Sequence, residues 1–197
     1  MKNSGSGLII VAHPDDETIW MGGTIARYKN IRWTIFALCR ADDADRAPKF
    51  RKVCRHYSAR GIMSDLEDEG LMSIRASQAP IAKRILKQFA TKKFDYIFTH
   101  GANGEYGHPR HRGVHRVVKK LVQNKKLICD QLFFFAYRLN NKKRIINPPP
   151  RSIDWTVKIN LGALKNKKNI IKKLYGFSPK SFENISCLAK ETFKIYH

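Results

Sequence analysis

Two short stretches of the sequence concentrate residue types that bind metal ions. The first, 12–17, reads Ala-His-Pro-Asp-Asp-Glu, and the second, 104–111, reads Gly-Glu-Tyr-Gly-His-Pro-Arg-His. Two neutral imidazoles and one carboxylate leave a position open for water on Zn²⁺, and a second carboxylate nearby can take the proton of that water. The pattern therefore indicates a catalytic metal site, provided that the fold brings the two stretches together. The candidate residues are His13, Asp15, Asp16, His108 and His111.

Each stretch follows a predicted strand. Residues 8–11 are apolar and mostly β-branched, which is typical of a strand buried on both faces of a parallel sheet. Residues 94–99 predict another strand, directly before the second stretch. In open α/β sheets ligands bind at the carboxyl ends of the strands, and right-handed crossovers bring those ends to one edge. We therefore expect the two motif loops to meet.

Strands and helices alternate along the chain. The patterns predict strands at 8–11, 32–39, 94–99, 131–138 and 155–161, helices at 17–29, 48–60, 80–89 and 114–121, and a short strand or loop at 62–72. Two basic helices are predicted near 170–175 and 181–196. The fold class is therefore α/β, a Rossmann-like three-layer sandwich with a mostly parallel sheet and helices on both faces. We expect one domain over 1–197, with the basic helices from about 162 packed on it or extending it.

Composition favours a globular protein of the cytoplasm. The chain has 197 residues and 43% hydrophobic content, enough for a core without disulfides. The four cysteines are widely spaced, which is typical of a reducing compartment. The polar first residues resemble no secretion signal, and no stretch reaches the roughly 18 apolar residues of a spanning helix.

The strong positive charge does not by itself indicate which kind of partner the protein binds. Thirty-eight Lys and Arg against 16 Asp and Glu give +22, which can attract nucleic acid, anionic lipid or an anionic substrate. The basic residues come as scattered pairs, which favours a solvated surface over a nucleic-acid site. A basic binding module without catalysis stays open as an alternative. Binding to nucleic acid would weaken steeply with salt, whereas turnover of a neutral sugar would not.

The two motifs, in this order, resemble the LmbE-like (PIG-L) family of zinc-dependent de-N-acetylases. The resemblance extends to Arg46-Ala47-Pro48-Lys49-Phe50 and covers roughly residues 7–175. The family includes the deacetylases of N-acetylglucosaminyl-phosphatidylinositol and of mycothiol and bacillithiol synthesis. The resemblance implies a single deacetylase domain that removes an acetyl group from an N-acetylglucosamine-type sugar or glycoconjugate.

The resemblance also implies a role for individual residues. The matching metal ligands are His13, Asp16 and His111, and Asp15 matches the general base. His108 matches the histidine that stabilises the oxyanion or protonates the leaving amine, and Tyr106 a mobile tyrosine beside the oxyanion. Arg46 and Asp68 fall where the family contacts its substrate. Amide hydrolysis needs these functions: a nucleophile, a Lewis acid, an oxyanion stabiliser and a proton donor.

Arg110 departs from the family pattern, because many members carry Asp at this position. A guanidinium cannot accept a hydrogen bond and would lower the pKa of a nearby imidazolium. We predict that metal binding survives and that Arg110 contacts the substrate with Arg46 and Asp68. The change puts three family properties in question: the substrate, the pH optimum and the role of His108 as an acid.

Several alternatives remain open at this stage. The acidic run 15–17 can also be a helix start with capping carboxylates. The amide substrate can be a thiol conjugate or a secondary metabolite, the acceptor can be anionic, and the ligands accept Fe²⁺ as well as Zn²⁺. The protein can be oligomeric. No role is assigned to His56, His100 or His115, and the acids at 42–45 are interpreted as a solvated loop.

Overall fold

A seven-stranded sheet organises the protein, for which a computed structural model describes residue 2 and residues 4–196. The strands are β1 (Gly5–Val11), β2 (Ile31–Ala37), β3 (Arg60–Met63), β4 (Lys93–Thr99), β5 (Ile128–Phe135), β6 (Arg138–Leu139), β7 (Ile145–Ile146), β8 (Trp155–Lys158) and β9 (Lys190–Tyr196). The helices are α1 (Asp16–Arg27), α2 (Arg46–His56), α3 (Gln78–Phe89), α4 (Gly104–Gly107), α5 (Pro109–Gln123), α6 (Leu161–Asn169) and α7 (Phe182–Ile185). A 3₁₀ turn covers Pro150–Ser152, and a π-helical turn at Ile170–Leu174 continues α6.

The strand order is β3-β2-β1-β4-β5-β9-β8, and β6 and β7 form a separate small hairpin. Strands β1 to β5 are parallel, whereas β9 runs antiparallel to both of its neighbours. The prediction of a mostly parallel sheet is confirmed.

Strand β1 shows how the sequence builds two cores. Its apolar residues alternate between the two faces of the sheet, because successive side chains of a strand point in opposite directions. Leu8 and Ile10 pack with α3 and α5, and Ile9 and Val11 pack with α1, α2 and β9. Helices therefore cover both faces, as the predicted three-layer sandwich requires.

The strand order reverses between β1 and β4, and the two motif loops meet there. Ile10 is in register with Thr99, so that both strands end at the same level. The Ala12 N–H donates to Nε2 of His100 at 2.9 Å and fastens the two strand ends together. A crevice at such a reversal is where doubly wound sheets bind ligands.

The prediction of a helix over 181–196 is wrong. The structure has only the short α7 there, followed by the strand β9. Lys and Glu favour a helix locally, but Thr192, Phe193 and Ile195 suit a strand, and β5 and β8 offer partners on both sides. Tertiary pairing therefore outweighs the local preference. The first of the two predicted basic helices corresponds to the π-helical turn that continues α6.

Two further expectations can be compared with the structure. All four cysteines are free thiols. Within the described residues, no helix combines the length and the apolar character that crossing a membrane requires.

Candidate metal centre and active site

Three donor atoms form a compact triangle at the carboxyl ends of β1 and β4. Nδ1 of His13 lies 3.2 Å from Nε2 of His111 and 3.3 Å from Oδ2 of Asp16. The third side, from His111 Nε2 to Asp16 Oδ2, is 3.4 Å. A tetrahedral ion with bonds of about 2.0–2.1 Å has its ligand atoms about 3.3–3.4 Å apart. The triangle therefore fits one face of such a site, and its atoms are those that the family resemblance implies.

Two neighbouring side chains, His100 and Asp68, are less suited to be ligands of the same ion. His100 lies near Asp16 and His111. Both of its ring nitrogens are already used, since Nε2 accepts the Ala12 N–H and Nδ1 contacts Glu105. On the other side of His13, Nε2 is 2.9 Å from Asp68 Oδ2, a hydrogen-bond distance rather than the spacing of two ligands of one ion.

Glu105 orients the second imidazole. One of its oxygens, Oε2, lies 2.6 Å from Nδ1 of His111 and 2.8 Å from Nδ1 of His100, and the other accepts the Gly101 N–H. The two rings stack with centroids 3.8 Å apart. Burial alone would raise the pKa of Glu105, but the imidazoles lower it to about 2. The ionised carboxylate therefore accepts a hydrogen bond from the Nδ1–H of His111, which leaves the lone pair of Nε2 free for a cation.

The first motif presents its own ligands in a similar way. Asp16 Oδ1 accepts the indole N–H of Trp20 at 2.8 Å, and Oδ2 accepts the His13 N–H at 2.9 Å. Burial raises the pKa of Asp16, but the three nearby imidazoles keep it well below the usual range. Burial likewise lowers the pKa of His13, yet hydrogen bonds to Asp16 and Asp68 raise it to about 10. Without a metal this imidazole is protonated, so that metal binding must release a proton.

Asp15 has the properties of a general base. Burial and the adjacent Asp16 charge raise its pKa well above the usual value. Its Oδ2 accepts a hydrogen bond from Arg46 Nη1 at 3.0 Å, and its backbone has a φ of +113°. A non-glycine residue in this region stores about 1–3 kcal/mol of strain, which is common at active sites. Its side chain does not cap α1, so the alternative of a simple helix start does not describe this loop.

The triangle borders a cavity of about 320 Å³. Asp15 and Tyr106 line it, and so do Arg46 and Asp68, as the resemblance implies. The Tyr106 ring meets Phe182 edge to face at 4.8 Å, and burial raises the pKa of its hydroxyl, which therefore stays protonated. The remaining lining residues are His13, Pro14, Asp16, Ile19, Trp20, Arg40, Asp43, Phe182 and Glu183.

His108 stands beside the triangle as the N-cap of α5. Its Nδ1 accepts the Arg110 N–H at 3.3 Å, so that the proton of the neutral ring lies on Nε2. Burial and the neighbouring His111 and His13 lower the pKa of His108 to about 4. At neutral pH this ring is therefore a hydrogen-bond donor rather than an acid.

Arg110 lies elsewhere than the sequence analysis expected. It does not line the cavity of the triangle; its side chain is 4% exposed and pairs with Glu67 at 3.0 Å. Arg110 was also expected to lower the pKa of a nearby imidazolium, but the low pKa of His108 arises from burial and from the other imidazoles. Arg110 lines a second, open cavity of about 670 Å³, together with His108 and Asp68.

Sequence reasoning missed several residues of the site, among them His100, Glu105, Asp43 and Phe182. His100 carried a signal, because it follows β4 directly, just as the first motif follows β1. Asp43, which was expected in a solvated loop, lines the cavity and accepts the Arg46 N–H. Phe182 comes from the far end of the chain and had no signal at all.

Curated relatives of this chain are named as deacetylases of an acetamido sugar. The 1D-myo-inositol 2-acetamido-2-deoxy-alpha-D-glucopyranoside deacetylase of Acidothermus cellulolyticus is 28% identical over 166 residues, which cover 66% of this chain and 57% of the relative. The Nocardia farcinica protein of the same name is 28% identical over 160 residues, covering 62% and 54%. The chain thus spans somewhat more than half the length of these curated relatives.

Solved structures share the fold. The A40926 pseudoaglycone deacetylase Dbv21 matches with a TM-score of 0.69 and 13% identity, over 99% of this chain and 98% of that one. The 4-carboxy-2-hydroxymuconate hydratase GalB of Pseudomonas putida matches with a TM-score of 0.61 and 12% identity, over 98% and 96%. One neighbour is a deacetylase and the other a hydratase, so the fold alone does not select a reaction. The family profile of PIG-L, GlcNAc-PI de-N-acetylase, matches residues 8–122, which include every member of the triangle, and the chain belongs to this family.

Proposed function

We propose that the protein is a metal-dependent hydrolase that removes the acetyl group from an N-acetylglucosamine-type sugar or glycoconjugate. The observation that carries the proposal is the triangle of His13, Asp16 and His111 donor atoms beside the buried carboxylate of Asp15. Family membership supports the same chemistry, since the family is described by a de-N-acetylase and the curated relatives are named for an acetamido sugar. Two nitrogens and one oxygen favour Zn²⁺, with Fe²⁺ as the alternative.

Each residue around the triangle then has a task. A bound divalent ion would polarise the acetamide carbonyl and acidify a water molecule. Asp15, whose pKa is raised, takes the proton of that water while Arg46 holds the carboxylate in place. His108 and Tyr106 donate hydrogen bonds to the developing oxyanion, because the Tyr106 hydroxyl stays protonated and the neutral His108 ring carries its one proton on Nε2. The proton on Asp15 then passes to the leaving amine.

The charges of the cavity favour an uncharged sugar over an anionic acceptor. Both arginines that line it are already paired, Arg46 with Asp15 and Arg40 with Asp68 and Glu69. Further carboxylates, Asp43 among them, line the same cavity. An anionic group placed there would meet more negative than positive side chains, whatever the charge of the whole protein.

We also propose that the protein works in the cytoplasm. Cys39, Cys54 and Cys187 are buried free thiols, and Cys129 is half-buried. Unpaired cysteines are typical of a reducing compartment.

The test is metal-dependent release of acetate. The protein is stripped of metal, reloaded with Zn²⁺ or Fe²⁺, and offered N-acetylglucosamine, its uncharged α-glycosides and a phosphorylated glycoside. Acetate release is expected from the loaded protein and the uncharged glycosides, and not from His111→Ala. The matched control is His56→Ala, which removes an exposed imidazole from the end of α2 and leaves turnover unchanged.

Two other results would contradict the proposal. Tight metal binding without turnover of any acetamide in the panel would point to a different amide substrate. A protein that binds no metal stoichiometrically, but binds nucleic acid with steep salt dependence, would be a binding module instead.

A further inference from the structure

The two ring nitrogens of His13 face different partners. Nδ1 belongs to the donor triangle, 3.3 Å from Asp16 Oδ2. Nε2 points the other way and lies 2.9 Å from Oδ2 of Asp68. A neutral imidazole has one N–H and one lone pair, so the partner at one nitrogen decides what the other offers. A carboxylate at Nε2 attracts the proton there and leaves the lone pair at Nδ1.

We propose that Asp68 is a positioning residue that holds His13 in the tautomer able to bind a cation through Nδ1, and that Arg110 secures the loop that carries Asp68. This reassigns both residues, which the sequence analysis expected to contact the substrate. The proposal rests on the proposed function only in that it assumes a cation at the triangle. It requires nothing of the substrate.

Asp68 is held in place by charge. Its side chain is 11% exposed, and Oδ2 accepts a hydrogen bond from Arg40 Nη2 at 3.3 Å. Arg40 also binds the neighbouring Glu69 through Nη1 at 3.0 Å. The Asp68 carboxylate thus has a cation behind it and the imidazole in front, which keeps it ionised and aimed at Nε2.

Arg110 ties the same loop to the start of α5. Its Nη2 donates to Glu67 Oε2 at 3.0 Å, and its Nε is 3.9 Å from Asp68 Oδ1. The carboxylate of Glu67 in turn accepts the N–H groups of Leu71 and Met72. Since Arg110 immediately precedes His111, one helix end places a donor of the triangle and anchors the loop that orients His13. An aspartate at position 110 would repel Glu67 and Asp68 instead.

The competing interpretation is that Asp68 contacts the substrate, because it also lines the cavity. The two roles differ in what they change. Removing a carboxylate that orients a ligand histidine typically weakens metal binding by about 10–100-fold. Removing a substrate contact raises KM and leaves the metal affinity unchanged.

The first experiment measures the Zn²⁺ dissociation constant of Asp68→Ala by competition with a chromogenic chelator. We expect binding to weaken by about 10–100-fold. The matched control is Glu69→Ala, because Glu69 binds the same Arg40 but is 70% exposed and pairs with no imidazole. Its affinity should stay within about twofold of the parent. Asp68→Asn keeps an acceptor oxygen for the Nε2–H and should recover most of the affinity.

Arg110→Met tests the second half of the proposal. We expect it to weaken Zn²⁺ binding by about three- to tenfold, and to add little to Asp68→Ala in the double variant, because both act through one contact. Independent effects that multiply in the double variant would remove Arg110 from the proposal.

A nitrogen-15 NMR spectrum of the histidine rings, recorded on the zinc-loaded parent protein, needs no variant. It should show the proton of His13 on Nε2. A proton on Nδ1, or an unchanged zinc affinity in Asp68→Ala together with a raised KM, would overturn the proposal. None of the zinc titrations needs a substrate, so a failure of the deacetylase assay is distinguishable from a failure here.

Discussion

Asp16 and Glu191 are both carboxylates buried against helix α1, and their surroundings differ. Glu191 receives four donors, from the N–H groups of Gly23 and Thr24, the Thr24 hydroxyl and the Lys167 ammonium. These N–H groups follow Met21, where α1 departs from helical geometry, so Glu191 satisfies donors that the kink exposes. Asp16 Oδ2 has one N–H donor and faces the ring nitrogens of His13 and His111.

The difference separates a structural cluster from a functional one. Buried polar groups destabilise the folded state unless they are paired, and every charged group of the Glu191 cluster has a partner. In the triangle, the lone pairs of two ring nitrogens and one carboxylate oxygen face one another. Such an arrangement is stable only when a proton or a cation lies between these atoms. Incomplete pairing among buried side chains of ligand type is therefore what distinguishes the candidate metal centre from the Glu191 cluster.

The largest expected effect is on catalysis, from Asp15→Asn. The amide is nearly isosteric but cannot take a proton, so kcat for acetamide hydrolysis should fall by about 10²–10⁴-fold. Asp15 is not a member of the triangle, so the zinc affinity should stay within about threefold of the parent. Steady-state kinetics and a zinc titration check the two values. A collapse of the metal affinity would make Asp15 a ligand and not the base.

The structural cluster should respond in the opposite way. Lys167→Met leaves the charge of Glu191 buried without its cation, and unfolding free energy should fall by about 3–5 kcal/mol. The zinc affinity and KM of the surviving folded protein should not change. Urea unfolding measures the loss, with Lys165→Met on the exposed side of α6 as control. A loss below about 1 kcal/mol would mean that the pair contributes little.

Glu105 lies between these two extremes, since its carboxylate is fully paired with donors but contacts His111, a member of the triangle. Its pKa of about 2 is below the ordinary 4.5, so its charge stabilises the folded protein above pH 4.5. That contribution is lost as the pH falls from 4.5 to about 2. Glu105→Gln should therefore lower the stability of the metal-free protein at pH 7, by up to about 3 kcal/mol, and flatten its pH dependence in this window.

Urea unfolding at a series of pH values between 2 and 7 tests the Glu105 prediction. Glu183→Gln is a suitable control, because Glu183 also lines the site but holds no imidazole. If the unfolding free energies of the parent and of Glu105→Gln fall in parallel between pH 4.5 and about 2, Glu105 is not responsible for the loss of stability in acid.

The smallest effect is expected from Phe182→Ala. Phe182 is 39% exposed and lines the cavity from α7, where its ring supports Tyr106. Its loss should raise KM for the acetamido sugar by about three- to tenfold and change kcat by less than about threefold, since Phe182 is neither a member of the triangle nor a proton donor or acceptor. Michaelis–Menten kinetics with N-acetylglucosamine glycosides check this. A kcat that falls as much as in Asp15→Asn would place Phe182 in the catalytic machinery.

Much of the site could be predicted because its residues are close in sequence. His13, Asp15 and Asp16 lie in one turn after a buried strand, and spacing alone placed them at a sheet edge. Glu105 and His111 were both in the second motif, but only the histidine was chosen. A buried glutamate shared by two imidazoles depends on His100, and that contact requires the ends of β1 and β4 to be fastened together.

The sequence by itself determined the layers of the fold and the five candidate ligand side chains of the two motifs, because hydrophobic alternation and residue chemistry are local properties. Only the tertiary structure decided that 190–196 is a strand, that Arg110 turns away from the cavity toward Glu67, and that Asp68 faces the ring of His13. Each of these depends on a residue that is distant in the sequence. Local helix and strand preferences contain no information about such a contact, which forms only when the chain folds.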